Sequence, residues 1–165
     1  TVPNAHPFLI DDKLVGTHNG VVTNLFQLRK IIREDYEVDS QYLLHLQHRD
    51  GNTQRAEGML NLAFNYREGH LANTLFLQKH GNSLYIAEIK NPDETKAYLY
   101  SSKIDGLKTA IDSLNLDSTI YAPEEYSRIA ISDTGVSYEV YQKSYKKRIR
   151  YLYDDEDDSC SRFLD

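Results

Sequence analysis

The sequence contains one cysteine, one methionine and no tryptophan among its 165 residues. A lone cysteine, Cys160, cannot form an internal disulfide. It therefore excludes a fold held together by disulfides and favours a reducing compartment, for which we predict the cytoplasm. No apolar run approaches the roughly 18 residues of a membrane-spanning helix, so a membrane is not an expected partner.

Basic residues are in the minority, with 19 Lys and Arg against 25 Asp and Glu and a net charge of −6. This balance disfavours nonspecific binding of nucleic acid, which is therefore not an expected partner. A glycine-rich phosphate loop is also lacking. His45 and His48 lie three apart on a predicted helix, but no third ligand follows at a recognisable spacing, so we predict no metal site and no cofactor.

The composition is typical of one globular domain with a sizeable core, because 40% of the residues are hydrophobic and 27% are charged. It changes near the C-terminus, where basic residues alternating with tyrosines precede an acidic run at 154–158. Such opposite charge blocks are typical of a solvated tail, with a binding patch as the alternative. We predict a domain over 1–142 and a charged tail over 143–165.

The most informative stretch is a strand pattern over 14–22 that is interrupted at Gly16-Thr-His-Asn-Gly20. A glycine inside a strand marks a bulge or a close approach to the backbone. The amide of Asn19 and the backbone N–H of Gly20 are two adjacent donors, which is what an oxyanion hole needs. The alternative is an Asn-Gly hairpin turn. The residues that follow favour a helix rather than a returning strand, since apolar residues recur at 25, 28, 31 and 32.

The remaining pattern predicts several further elements. An extended segment over 1–12 closes at a turn at Asp11-Asp12. Helices are expected over 25–34, 40–49, 53–66 and 103–114. A hairpin of 74–78 and 83–88 should turn at 80–82, and further strands are expected over 96–101, 118–122, 128–132 and 136–142. Runs of helices followed by runs of strands favour an α+β fold with helices stacked on antiparallel sheets.

Three features in order resemble the glutaminase domain of class II glutamine amidotransferases, which are N-terminal-nucleophile (Ntn) hydrolases. They are the segment Asn4-Ala-His-Pro-Phe8, the strand containing His18-Asn-Gly20, and Asp39 at the start of a predicted helix. The family has an Asn-(Ala/Thr)-(His/Gln)-Pro segment, then a strand ending in His-Asn-Gly, then a helix and an acidic residue. The downstream layout is similar too, so the resemblance covers 1–142.

The resemblance implies a four-layer αββα sandwich of two antiparallel sheets between helices. It implies that the side chain of Asn19 and the N–H of Gly20 form an oxyanion hole for the carboxamide of glutamine. Asp39 would bind the α-ammonium of glutamine through charge-assisted hydrogen bonds. His6 and His18 match motif positions and would have a positioning role. The implied partners are glutamine or a related amide, and an ammonia-accepting synthase or another protein chain. The implied reaction needs no metal.

The sequence departs from the family at the nucleophile. The family uses an N-terminal cysteine, whose α-amine acts as the base, and an Arg-x-x-Thr segment that binds the substrate carboxylate. Both lie upstream of the Asn-Ala-His-Pro segment in the family, and neither is present here. Thr1 lies where the family has ordinary chain. The acidic surroundings of Cys160 disfavour its thiolate.

Two functional hypotheses follow from this departure. The first is a glutaminase domain, with its N-terminal strands missing, that releases glutamate and ammonia in its complete form. It would be inactive as this chain stands, because the cysteine nucleophile and the Arg-x-x-Thr segment are absent. The second is a non-catalytic structural or interaction component of a larger assembly that keeps the Ntn fold.

Overall fold

The computed structural model of the protein describes residues 5–141. Within them the chain forms nine strands and three helices, in the order β1 (Phe8–Ile10), β2 (Leu14–Val22), α1 (Leu25–Ile31), α2 (Asp39–Asp50), β3 (Gly58–Tyr66), β4 (Leu75–Lys79), β5 (Tyr85–Lys90), β6 (Lys96–Ser101), α3 (Ile104–Ser113), β7 (Ser118–Tyr121), β8 (Ser127–Ser132) and β9 (Gly135–Val140). No helix in this part of the chain is long and apolar enough to cross a membrane.

The strands form two antiparallel sheets, one of six strands in the order β1-β2-β3-β4-β8-β9 and one of three in the order β6-β5-β7. Three clusters of buried residues separate the layers. One lies between the large sheet and helices α1 and α2, a second lies between the two sheets, and a third lies between the small sheet and α3. The structure is therefore the four-layer αββα sandwich that the resemblance implies.

Strand β2 is the element on which the site is built, and it runs through the Asn-Gly pair without turning. Asn19 lies opposite Asn61 of β3, and Gly20 lies opposite Leu60. The predicted strand over 14–22 is confirmed, and the Asn-Gly hairpin is excluded. The predicted turn before it is also confirmed, because Asp11 and Asp12 have φ values of 49° and 56° between β1 and β2.

Two helices follow β2, as predicted, but α1 ends at Ile31 rather than at residue 34. Asn24 precedes α1 without capping it through its side chain. Instead, the Asn24 amide donates to the carbonyl of Arg55 and accepts the N–H of Glu57. It therefore ties the start of the helix to the segment that leads into β3.

The predicted helix over 53–66 is wrong, because Gly58–Tyr66 is strand β3. The apolar residues of this segment fit both the helical period of about 3.6 residues and the strand period of two. Those that the fold buries most, Leu60, Leu62 and Phe64, alternate with the strand period. Pairing with β2 along nine positions outweighs the weak local preference for helix.

The predicted hairpin of 74–78 with 83–88 is also wrong. Strand β4 belongs to the large sheet and β5 to the small one, so the chain crosses from one sheet to the other at 80–84. The crossover is favoured because Leu77 and Leu84, on its two sides, are both buried in the core between the sheets. Alternation predicts that a segment is a strand, but it does not identify the partner of that strand.

The later elements agree with the sequence patterns. Strand β6 matches the predicted range, α3, β7 and β8 agree to within a residue at each end, and β9 spans Gly135–Val140. Residue 142, the predicted tail over 143–165, Cys160 and Thr1 lie outside the described residues.

Candidate functional site

The open edge of β2 brings together most of the residues singled out from the sequence. Strand β1 pairs only with Leu14, Val15 and Gly16, so the following half of that edge extends beyond it. There the N–H of His18 donates to Nδ1 of His6 at 3.4 Å, and the N–H of Val22 donates to Oδ2 of Asp39 at 2.9 Å.

The backbone N–H of Gly20 lies between these two bonds. Alternate residues of a strand direct their N–H groups to the same edge, and Gly20 is two residues from both His18 and Val22. The N–H of Gly20 therefore faces the same edge as the ring of His6 and the carboxylate of Asp39. A backbone donor and a carboxylate acceptor are thus placed side by side.

Gly20 can only be glycine at this point of the sheet. A Cβ added there would lie 1.8 Å from the carbonyl oxygen of Met59 and 3.0 Å from Nε2 of His18, and the residue has a φ of 157°. The close approach of β3 and of the His18 ring is therefore the physical reason for the glycine that interrupts the strand pattern.

Asp39 is the first residue of α2, as the resemblance leads one to expect. The partial positive charge of a helix N-terminus stabilises a carboxylate in its first turn. Its Oδ2 accepts the N–H of Val22, while Oδ1 lies 3.4 Å from the hydroxyl of Ser40. Oδ1 thus makes only a long contact with the protein and keeps capacity for a further donor.

His18 is buried and fixed from both sides of its ring. Its Nε2 lies 2.9 Å from the carbonyl oxygen of Met59, and its Nδ1 lies 3.1 Å from the hydroxyl of Ser40. A carbonyl can only accept, so Nε2 carries a proton and donates. In the neutral ring, Nδ1 then accepts from Ser40. His18 consequently joins β2 to β3 and α2 and holds the edge in place.

His6 is held as a neutral acceptor. Its ring packs edge-on against Phe8 with centroids 4.7 Å apart. Partial burial and the nearby His18 lower the pKa of His6 below its ordinary 6.5, while the Asp39 carboxylate acts in the opposite direction. The lowered pKa keeps Nδ1 unprotonated near neutral pH, as its bond from the N–H of His18 requires.

The side chain of Asn19 belongs to a neighbouring space. Together with Thr17, Asn61, Tyr100 and Ser101, Asn19 lines a cavity of about 200 Å³ between the two sheets. Its carbonyl oxygen accepts a hydrogen bond from the side-chain amide of Asn82 at 2.9 Å. The two predicted donors, Asn19 and Gly20, are thus adjacent in the strand, one beside the cavity and the other at the edge.

Sequence reasoning missed three residues that build this site: Ser40, Asn61 and Asn82. Ser40 adjoins Asp39 and is only the first residue of the helix predicted over 40–49. Asn61 lies inside a strand that the sequence had suggested was a helix. Asn82 was assigned to a hairpin turn. A polar residue between buried Leu60 and Leu62 was the one signal that could have identified Asn61.

A second cavity, of about 510 Å³, lies near the start of β2 and is lined by Lys13, His48, Tyr66, Glu68 and His70, among others. Among these residues, Lys13 lies 3.6 Å from Glu68, and Nε2 of His48 lies 3.5 Å from Oδ2 of Asp11. Across residues 5–141 there is no cluster of three or more side chains able to hold a metal ion.

Of the comparisons with known proteins, the one with solved structures found matches. No protein-family model and no curated protein matches the sequence. A glutamine phosphoribosylpyrophosphate amidotransferase from B. subtilis, complexed with ADP and GMP, is 18% identical with a TM-score of 0.66; the match covers 87% of this chain and 33% of that one. A structure described as the allosteric regulatory enzyme of purine biosynthesis is 17% identical with a TM-score of 0.66, covering 86% and 32%.

A third structure, a glutamine aminotransferase class-II domain protein from Silicibacter pomeroyi, is 18% identical with a TM-score of 0.54, covering 82% of this chain and 71% of that one. At such identities the similarity shows the fold alone, and the fold of this chain is similar to that of these amidotransferase structures. The chain spans about a third of the length of the first two structures.

Proposed function

We propose that this chain is a class II glutamine amidotransferase-like domain whose β2 edge binds glutamine. One observation carries the proposal: the N–H of Gly20 and the carboxylate of Asp39 face the same strand edge, next to each other. An α-amino acid amide offers groups that match both, namely a carbonyl oxygen that accepts and an ammonium that donates. The fold of the structural neighbours supports the same assignment.

Each residue has a defined part in this proposal. Asp39 binds the α-ammonium of glutamine by a charge-assisted hydrogen bond through Oδ1. The Asn19 amide and the Gly20 N–H receive the carboxamide oxygen, and would stabilise the negative charge that grows on it when a nucleophile attacks. His18 and His6 hold the strand edge, and the lowered pKa of His6 disfavours a positive charge that would compete with the ammonium for Asp39.

No residue of the printed sequence matches the nucleophile that this reaction needs. Residues 1–159 contain no cysteine, and no Arg-x-x-Thr sequence occurs. We therefore propose that this chain alone binds glutamine and does not hydrolyse it. Release of glutamate and ammonia then requires a cysteine and a carboxylate-binding segment from elsewhere, and a synthase domain or another protein chain uses the ammonia.

Binding of L-glutamine and of N-acetyl-L-glutamine, which lacks the ammonium, tests the proposal. We expect a weak, roughly millimolar affinity for L-glutamine, since the α-carboxylate has no assigned partner. Asp39→Asn should weaken L-glutamine binding about tenfold or more and leave N-acetyl-L-glutamine unaffected. Asp112→Asn, on the exposed side of α3, is the matched control. Equal affinity of the parent chain for both ligands would overturn the role of Asp39.

The second candidate, a non-catalytic interaction component, has one observation in its favour. Leu9, Val21 and Met59 are 41–52% exposed. Cross-strand pairing places all three on the face of the large sheet that carries Asn19, where the small sheet does not cover them. Val21 and Met59 lie directly opposite each other, whereas Leu9 lies opposite Val15, roughly 20 Å further along β2. An adjacent exposed apolar pair such as Val21 and Met59 is typical of a surface that another chain covers. This candidate predicts that L-glutamine does not bind at all.

A further inference from the structure

The loop that links β4 to β5, residues 80–84, is fastened to the large sheet by the buried side chain of Asn61. Asn61 of β3 accepts the N–H of His80 at 2.7 Å and donates to the carbonyl oxygens of Asn82 and Ser83, both at 3.1 Å. Each of these backbone groups can act in one direction only, so together they fix the orientation of the Asn61 amide.

The same loop reaches back to β2 through Asn82. Its Nδ2 donates to the carbonyl oxygen of Asn19 at 2.9 Å. The position of Asn82 is in turn set by Asn61, which binds its carbonyl. Asn61 and Asn82 thus form a continuous connection from the middle of β3 to the peptide bond that joins Asn19 to Gly20.

The orientation of that peptide bond determines where the N–H of Gly20 points. A trans peptide unit is planar, and its C=O and N–H point in opposite directions. A donor that holds the carbonyl of Asn19 therefore also directs the N–H of Gly20 the other way. The pairing of Asn19 with Asn61 in the β2–β3 ladder holds this unit on one side, and Asn82 adds a side-chain donor to the same carbonyl.

We propose that Asn82, held by Asn61, is a positioning residue that keeps the N–H of Gly20 directed at the edge where His6 and Asp39 lie. The inference rests on the proposed function in one respect, namely that this N–H receives the carboxamide oxygen of glutamine. Asn82 itself touches neither the amide nor the ammonium. Its effect is to keep a donor oriented before the ligand arrives, which avoids a reorganisation cost during binding or reaction.

The test observes the Gly20 amide directly, by NMR on the chain labelled with ¹⁵N-glycine. In the unliganded parent chain, we expect one sharp resonance for Gly20. In Asn82→Ala that resonance should shift and broaden through microsecond-to-millisecond exchange, because the Asn19 carbonyl loses its side-chain donor and is held by strand pairing alone. In Asn82→Asp a carboxylate oxygen faces the carbonyl of Asn19, so the displacement should be larger. Asn91→Ala is the control, since Asn91 bonds Thr95 in the turn between β5 and β6.

The outcomes separate this inference from the proposed function. An unchanged, sharp Gly20 resonance in both Asn82 variants overturns the positioning role, whether or not glutamine binds. If the parent chain shows no glutamine-induced shift, the proposed function fails while the Asn82 effect on the unliganded chain can still be read. If both hold, a titration of uniformly ¹⁵N-labelled protein should show that L-glutamine shifts the Asp39 amide in Asn82→Ala as in the parent chain, whereas the glutamine-induced shift at Gly20 is lost in that variant.

Discussion

The carboxylate of Asp39 accepts the backbone N–H of Val22 at 2.9 Å, and this bond joins the first residue of α2 to the last residue of β2. Val22 is buried, so its N–H has few other partners available. Asp39 therefore has a structural contact through Oδ2 alongside the binding role that we propose for Oδ1. The two roles respond differently to substitution.

Asp39→Ala should lower the free energy of unfolding by about 1–3 kcal/mol, because it leaves a buried donor unpaired. Asp39→Asn keeps an oxygen that accepts the same N–H and should cost clearly less. Urea denaturation of both variants measures the difference, with Asp112→Asn as the control. An equal decrease in the free energy of unfolding in both variants would contradict the hydrogen bond from Val22 to Asp39. The decrease would then come from loss of the Asp39 charge alone.

The His6 ring should titrate below pH 6.5, because burial and the nearby His18 lower its pKa. The unfolded chain then binds the proton more readily than the folded one, so the stability contribution of His6 is lost as the pH falls below about 6.5. Asp39→Asn should lower this pKa further, since the Asp39 carboxylate raises it. NMR titration of the ring protons measures the midpoint. An upward shift in the variant would show that the carboxylate does not act on this ring.

Gly20→Ala should destabilise the protein by about 3 kcal/mol or more, since the new methyl group meets backbone rather than a flexible side chain. Gly106→Ala is the matched control, because it lies in α3 with nothing within 4 Å. There the same change should raise stability by about 0.5–1 kcal/mol, since alanine favours helix. Thermal unfolding distinguishes the two. Similar effects of both substitutions would contradict the close approach at Gly20.

His18 should exist as the tautomer protonated at Nε2, because the carbonyl of Met59 accepts from that nitrogen. Long-range ¹H–¹⁵N correlation spectra of the ring report the tautomer directly. Ser40→Ala removes the contact to Nδ1 and should cost about 1 kcal/mol without changing the tautomer. Protonation at Nδ1 alone in the neutral ring would show that Met59 does not fix this side chain.

The sequence predicted the residues that meet at the β2 edge better than it predicted the sheets. Gly16 and Gly20 within β2, and an acidic residue at the start of α2, are local signals that depend on few neighbours. The 58–66 segment was misread because Met59, Leu60, Ala63 and Phe64 also fit a helical period. Its strand form is decided by pairing with β2, and that pairing is not visible in a local window.

The Asn61–Asn82 connection lay beyond sequence reasoning for a related reason. It joins residues 21 apart along the chain and then reaches back 63 residues to Asn19. No periodicity encodes such contacts, because each depends on the crossover of the chain between the two sheets. Correct placement of that crossover would have been needed before Asn82 could be connected to Gly20.

The most direct test of the central claim is to map where L-glutamine binds, by following the backbone amides of ¹⁵N-labelled protein during a titration. We predict saturable shifts at Gly20, Val22 and Asp39, and loss of those shifts in Asp39→Asn. Shifts confined to the cavity around Lys13, His48 and His70 would contradict the account, as would a spectrum that L-glutamine leaves unchanged.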